Sequence, residues 1–224
     1  MKMPQFSGGV LLAVALVSSI SSVSSIGNAR PPVASEPAAT DVARAFQASY
    51  AAEAERHFDA ALAALDGVPE ARRGAYAVQL RRGWLAYLAG HHAESVAAYT
   101  QALSPEPDSV EPRLGLSLPQ MALRRWVDVE KTTGEVLSRD PGSYLGLMRL
   151  GLAQYSLGKY GEAEGSYQKV VTLHPADIDA RSGLGWALLK QKKKSAALGH
   201  FNAILELSPS HPAAKEGLQL AQQR

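Results

Sequence analysis

The chain matches itself at one constant shift, the step from Gly151 to Gly185, and that period constrains the fold more than any other feature. Small residues recur at Ser49, Gly83, Ser117, Gly151 and Gly185. Twelve residues later stand Ala61, Ser95, Val129, Ala163 and Ala197, and four beyond those Leu65, Tyr99, Thr133, Tyr167 and Phe201. Pro107, Pro141, Pro175 and Pro209 close four of the units, with Arg73 in the corresponding place of the first. Five units follow, at 42–75, 76–109, 110–143, 144–177 and 178–211, with 212–224 as a C-terminal capping helix.

Each unit reads as two helices. In the fourth, Leu147, Leu150 and Gly151 share one face at helical spacing, Gly158 breaks the chain, and Ala163, Tyr167 and Val170 make a second apolar face before Pro175. Glycine at the crossing admits close approach of two backbones, and proline cannot continue a helix. One such pair cannot bury its apolar face alone, so neighbouring units must supply the core.

These columns resemble the tetratricopeptide repeat, whose pattern of glycine, alanine twelve later, an aromatic four beyond and a terminal proline is met almost fully by residues 144–177. The resemblance implies an all-α, right-handed α-solenoid of stacked helix-turn-helix units with a concave inner wall, a scaffold that binds proteins rather than an enzyme. Three departures carry expectations. "ARRGAYAVQLRRGWLAYLAG" could form one longer helix across the first boundary, Pro119 should kink or shorten the first helix of the third unit, and Lys194, standing where Phe58, Trp126 and Tyr160 stand elsewhere, should loosen the turn of the fifth.

Residues 1–29 differ from the rest. Lys2 is their only charge, "GGVLLAVALVSSI" is an apolar run, and Gly27-Asn28-Ala29 offers small residues for cleavage, the pattern of a secretory signal peptide. An uncleaved anchor over Val10 to Gly27 is the alternative, weakened by the six serines of its second half, since a bilayer core needs about 20 predominantly apolar residues. Both imply export, and a Gram-negative source would make the compartment the periplasm. With no cysteine, neither a bacterial lipid anchor nor a disulfide is available. Without Lys2 the basic and acidic residues nearly balance, which leaves no electrostatic footprint for nucleic acid. "RPPVASEPAATD", residues 30–41, reads as an extended linker.

Chemistry-bearing residues are sparse. His91, His92 and Glu94 sit together at an inter-helix turn without further ligands at metal-site spacing. Gly183-Leu184-Gly185 follows no strand, and Ser117 in "GLSLP" lacks the second glycine of a nucleophile elbow. No catalytic residue, cofactor or metal is expected. The run "KQKKKS", residues 190–195, reads as a solvated turn, with an anionic surface as the alternative ligand.

Three ladders project from one face of the first helices: Tyr50, Trp84, Leu118, Leu152 and Trp186; Glu53, Tyr87, Met121, Tyr155 and Leu189; and Phe46, Leu80, Leu114, Met148 and Ser182. The resemblance places this face on the concave wall, where tetratricopeptide proteins hold peptides. It therefore implies partner-binding roles for Phe46, Tyr50, Leu80, Trp84, Tyr87, Leu118, Met121, Met148, Leu152, Tyr155, Trp186 and Leu189. Burial of the same side chains between adjacent first helices is the competing reading. No first helix carries the asparagine of the family's carboxylate clamp, so an apolar or amphipathic protein segment is the expected ligand. Self-assembly, with the end helix around Leu218 and Leu220 filling the groove of another copy, is the alternative function.

Overall fold

A computed structural model describes residues 37–223, all of whose regular structure is helical. The expected signal peptide lies outside them. Five helix pairs follow one another: α1 (Pro37–Ala54) with α2 (Phe58–Ala64), α4 (Tyr76–Leu88) with α5 (His92–Ala102), α6 (Val110–Ala122) with α7 (Trp126–Arg139), α8 (Tyr144–Ser156) with α9 (Tyr160–Leu173), and α10 (Ile178–Lys190) with α11 (Lys194–Leu207). A single helical turn, α3 (Glu70–Arg73), joins the first two pairs, and α12 (Pro212–Gln222) ends the stack. Each second helix packs against its own partner and against the first helix of the next unit, so the whole is an α-solenoid. First helices also touch across units, α4 with α6, α6 with α8 and α8 with α10, whereas no comparably packed pair among the described residues joins two second helices. The side on which neighbours converge is the inner side of the curve, and the first helices form it.

The turns inside the pairs share one design. Arg56, Gly90, Arg124, Gly158 and Lys192, each one repeat after the last, all adopt positive φ, between 55° and 82°. In each turn the amide after this residue reaches back to a carbonyl of the preceding helix, as from His91 to Ala86 at 2.8 Å and from Lys193 to Leu188 at 3.0 Å. Glycine supplies this conformation without strain at two turns, and long basic residues occupy it at the other three.

The local expectations at four places need correction. α1 starts at Pro37, so the last residues of the expected 30–41 linker are helical, with proline in the first turn, where its missing donor does no harm. No continuous helix crosses the first boundary. Arg73 donates from Nε to the Val68 carbonyl at 2.9 Å and from Nη2 to the Asp66 carbonyl, Gln79 caps the Arg73 carbonyl, and the chain extends at Ala75 before α4. Pro119 does not shorten α6, which has 13 residues like α4, α8 and α10, and its carbonyl still accepts from Leu123 N–H at 2.9 Å in the last turn. The fifth turn keeps the backbone bonds of the others despite Lys194.

The units are joined in two ways. At three joints an aromatic ring is clasped by two glycines, one in its own unit and one in the next. A Cβ on Gly83 or Gly115 would lie 2.8 or 2.2 Å from Tyr99, on Gly151 or Gly183 2.9 or 2.5 Å from Tyr167, and on Gly185 or Gly217 2.8 or 2.3 Å from Phe201. Tyr167 and Phe201 are essentially unexposed, and they centre the largest core cluster with Leu147, Val170, Leu184 and Ile204. At the other two joints the aromatic position holds Leu65 or Thr133. There the clasping places hold Ser49 and Arg81, or Ser117 and Arg149, and the arginine donates to the serine, Nε of Arg81 at 3.1 Å and Nη1 of Arg149 at 2.7 Å.

α12 is an integral end cap. Ala214, Gly217 and Ala221 are buried, Leu218 packs on the large core cluster, and Leu220 is 38% exposed. Leu218 is therefore taken up by its own chain, which removes half of the apolar pair expected to reach another copy.

Candidate partner-binding groove

The structure sorts the expected wall residues into three groups. At the N-terminal end Phe46 and Trp84 lean on the cluster of Ala61, Leu62, Leu65, Leu85 and Ala86, and Tyr50 stands 53% exposed. In the middle Leu80, Tyr87, Leu118, Met121 and Leu152 are part-exposed and lie outside the core clusters. Toward the C-terminal end Met148, Tyr155 and Leu189 are partly buried against the large cluster. Trp186 leaves the wall altogether: it is 6% exposed, with its ring edge-on to Phe201 at 5.7 Å, and belongs to the core. Its sequence equivalent Trp84 is held differently, by an indole Nε1–H donated to Glu53 Oε1 at 2.7 Å.

Charge organises the N-terminal end. Arg81 Nη1 donates to Glu53 Oε2 at 2.5 Å, and its guanidinium carbon lies 4.0 Å from the centre of the Tyr50 ring. Phe46 meets Tyr50 at 6.2 Å, and Trp84 meets Tyr87 at 6.1 Å. In the middle the charge is Arg149, whose Nη1 donates to the Leu114 carbonyl and to Ser117 Oγ, at 2.5 and 2.7 Å. Burial lowers the guanidinium from its ordinary value, and Tyr87 and Tyr99 act in the opposite direction. At the C-terminal end Tyr155 stacks edge-on with Tyr160 at 5.3 Å, and burial pushes its phenol up to about 12.

Arg81 and Arg149 belong to the first helices beside the candidate groove, and the apolar ladders alone do not reveal them. A signal existed: a serine of the small column is followed by an arginine at the same interval twice, Ser49 by Arg81 and Ser117 by Arg149. The remaining sequence candidates fall away from the groove. His91 Nε2 pairs with Asp59 Oδ1 at 2.7 Å across two turns, and no group of three potential metal ligands converges among the described residues. In the lysine run, Lys193 is held by Glu164 at 2.7 Å and Lys194 donates to the Gln223 carbonyl at 2.5 Å. No described helix is long and apolar enough to cross a membrane.

The Tetratricopeptide repeat family profile matches residues 135–178 and 148–212, the C-terminal units where the aromatic, glycine and proline columns are most complete. No curated protein sequence matches the chain. Among solved structures, a tetratricopeptide repeat protein from Parabacteroides merdae superimposes with a TM-score of 0.73 at 18% identity, covering 81% of this chain and 72% of its own. A MamA fragment from Desulfovibrio magneticus gives 0.71 at 17% identity, over 77% of this chain and 97% of that one. YrrB, described as a TPR protein with an unusual peptide-binding site, gives 0.70 at 15% identity, over 80% and 92%. The fold is thus an all-α solenoid of tetratricopeptide units.

Proposed function

We propose that this protein is a non-enzymatic scaffold of the cell envelope that holds an apolar or amphipathic protein segment against the inner face of its first helices. One observation carries the reading: Leu80, Tyr87, Leu118, Met121 and Leu152, from three consecutive first helices, form a part-exposed apolar strip outside the core clusters. A solenoid that needed these side chains for its own stability would seal them as it seals Trp186. Tyr50 adds a half-exposed aromatic at one end, and exposed aromatics of this kind are common anchors for partners. The peptide-binding site in the description of YrrB is in keeping with such use of the fold. The envelope part rests on the leader at residues 1–29.

Cross-linking in native cells followed by purification and mass spectrometry tests both parts. A Tyr50→Ala, Leu118→Ala, Leu152→Ala protein should keep its helicity and lose at least about tenfold of the captured partner, as expected when about 1.4 kcal/mol or more of contact is removed. The purified parent should begin at or near Arg30. Undiminished capture would exclude the inner face, and a retained Met1 would exclude cleavage.

A further inference from the structure

Arg81 and Arg149 occupy the same place two repeats apart, and the side chains around them differ at three equivalent positions. Both arginines reach back to the serine of the preceding unit. At Arg81 the charge is closed by Glu53, which also accepts from Trp84. The shift that carries Arg81 to Arg149 also carries Glu53 to Met121, Tyr50 to Leu118 and Trp84 to Leu152. Around Arg149 the carboxylate, the aromatic face and the indole donor are therefore all replaced by apolar side chains. The two acceptors that Arg149 does have, the Leu114 carbonyl and Ser117 Oγ, are neutral and both bind Nη1. Among the described residues no carboxylate lies within ion-pair reach of it.

A guanidinium cannot shed its proton, so a part-buried one without a counter-charge carries a penalty that a ligand can relieve. Burial is also the leading influence on this group, with phenols rather than carboxylates as its electrostatic neighbours. With Nη1 engaged, the Nε and Nη2 edge is left, the edge that a carboxylate takes with two parallel hydrogen bonds. By register, part-exposed Leu118, Met121 and Leu152 stand where Tyr50, Glu53 and Trp84 surround Arg81, so a small free anion would find its charge met and little else to bind. A segment carrying one acidic side chain between apolar residues satisfies both.

We propose that Arg149 is the specificity point of the groove: it takes an aspartate or glutamate of the bound partner segment, in the place that Glu53 fills at Arg81. This rests on the reading of the inner face as a peptide groove. It differs from a terminal-carboxylate clamp in that an internal side chain supplies the anion and apolar flanks supply the rest of the contact.

Selection from a displayed library of random peptides on the mature full chain tests the assignment. The parent should enrich peptides with Asp or Glu at a fixed place between apolar residues, and changing that acid to its amide should weaken binding about tenfold or more. Arg149→Met should still enrich apolar peptides and lose the acid. Met121→Glu should do the same, because its own carboxylate copies the pairing at Arg81, and it should raise the melting temperature by about 2–4 °C without any ligand. Enrichment of apolar peptides lacking an acid, an acid preference that survives Arg149→Met, or a lowered melting temperature for Met121→Glu would overturn the proposal while leaving the groove in place. Enriched peptides that bind the Tyr50→Ala, Leu118→Ala, Leu152→Ala protein undiminished would overturn both.

Discussion

The joint between the fourth and fifth units and the joint between the third and fourth are built from opposite materials. In the first, the Tyr167 ring fills the space between Gly151 and Gly183 and leaves no room for a single Cβ. In the second, Thr133 stands in the ring's place, Ser117 replaces the near glycine, and the far position carries Arg149, whose guanidinium turns to Ser117 and Leu114. The two features are causally linked. Where a ring is present the next unit must offer glycine, and where it is absent a long side chain can enter the same volume. A joint is thus filled either by a ring between two glycines or by an arginine that reaches back to a serine.

The largest test of this contrast is Tyr167→Ala against Thr133→Ala. Removing a fully buried aromatic should destabilise by about 3–5 kcal/mol. Thr133 contributes chiefly a hydroxyl bonded to the Val129 carbonyl of its own helix at 2.7 Å, and its loss should cost about 1 kcal/mol. Denaturant melts read both, and equal losses would mean that the joints carry equal weight.

Glycines sharpen the comparison with smaller effects. Gly151→Leu should overpack Tyr167 and lower stability by about 1–3 kcal/mol, visible in thermal melts. An unchanged melt would remove the clasp. Gly165 and Gly199 lie within α9 and α11, and a Cβ added to either meets nothing within 4 Å. Alanine there should stabilise by about 0.5–1 kcal/mol each, because it narrows the unfolded ensemble and improves helix propensity. The opposite sign at glycines of one protein separates those that answer to a neighbouring ring from those that do not.

Much of this architecture was legible in the sequence. The small column, the aromatic column and the prolines located five pairs and an end helix, because a repeated backbone presents the same volume once in every unit and selects side chains of the same size. The second glycine column, Gly115, Gly183 and Gly217, is not legible in the sequence, since arginine interrupts it and it looks irregular until the ring beside it is known. The candidate groove was legible as a face. Its members were not equally so: Trp84 and Trp186 are indistinguishable by register, yet one is held at the surface by Glu53 and the other turns onto Phe201.

By itself, then, the sequence determined the helices and their pairing, since periodicity acts through local backbone geometry and needs no knowledge of neighbours, whereas the inward turn of one face was implied by the resemblance. The tertiary structure alone decided which of several equivalent side chains are sealed, which arginine meets a carboxylate and which does not. The physical reason is that burial and charge pairing at one position depend on the volume and polarity that the adjacent unit contributes, and that contribution becomes definite only when the units are stacked.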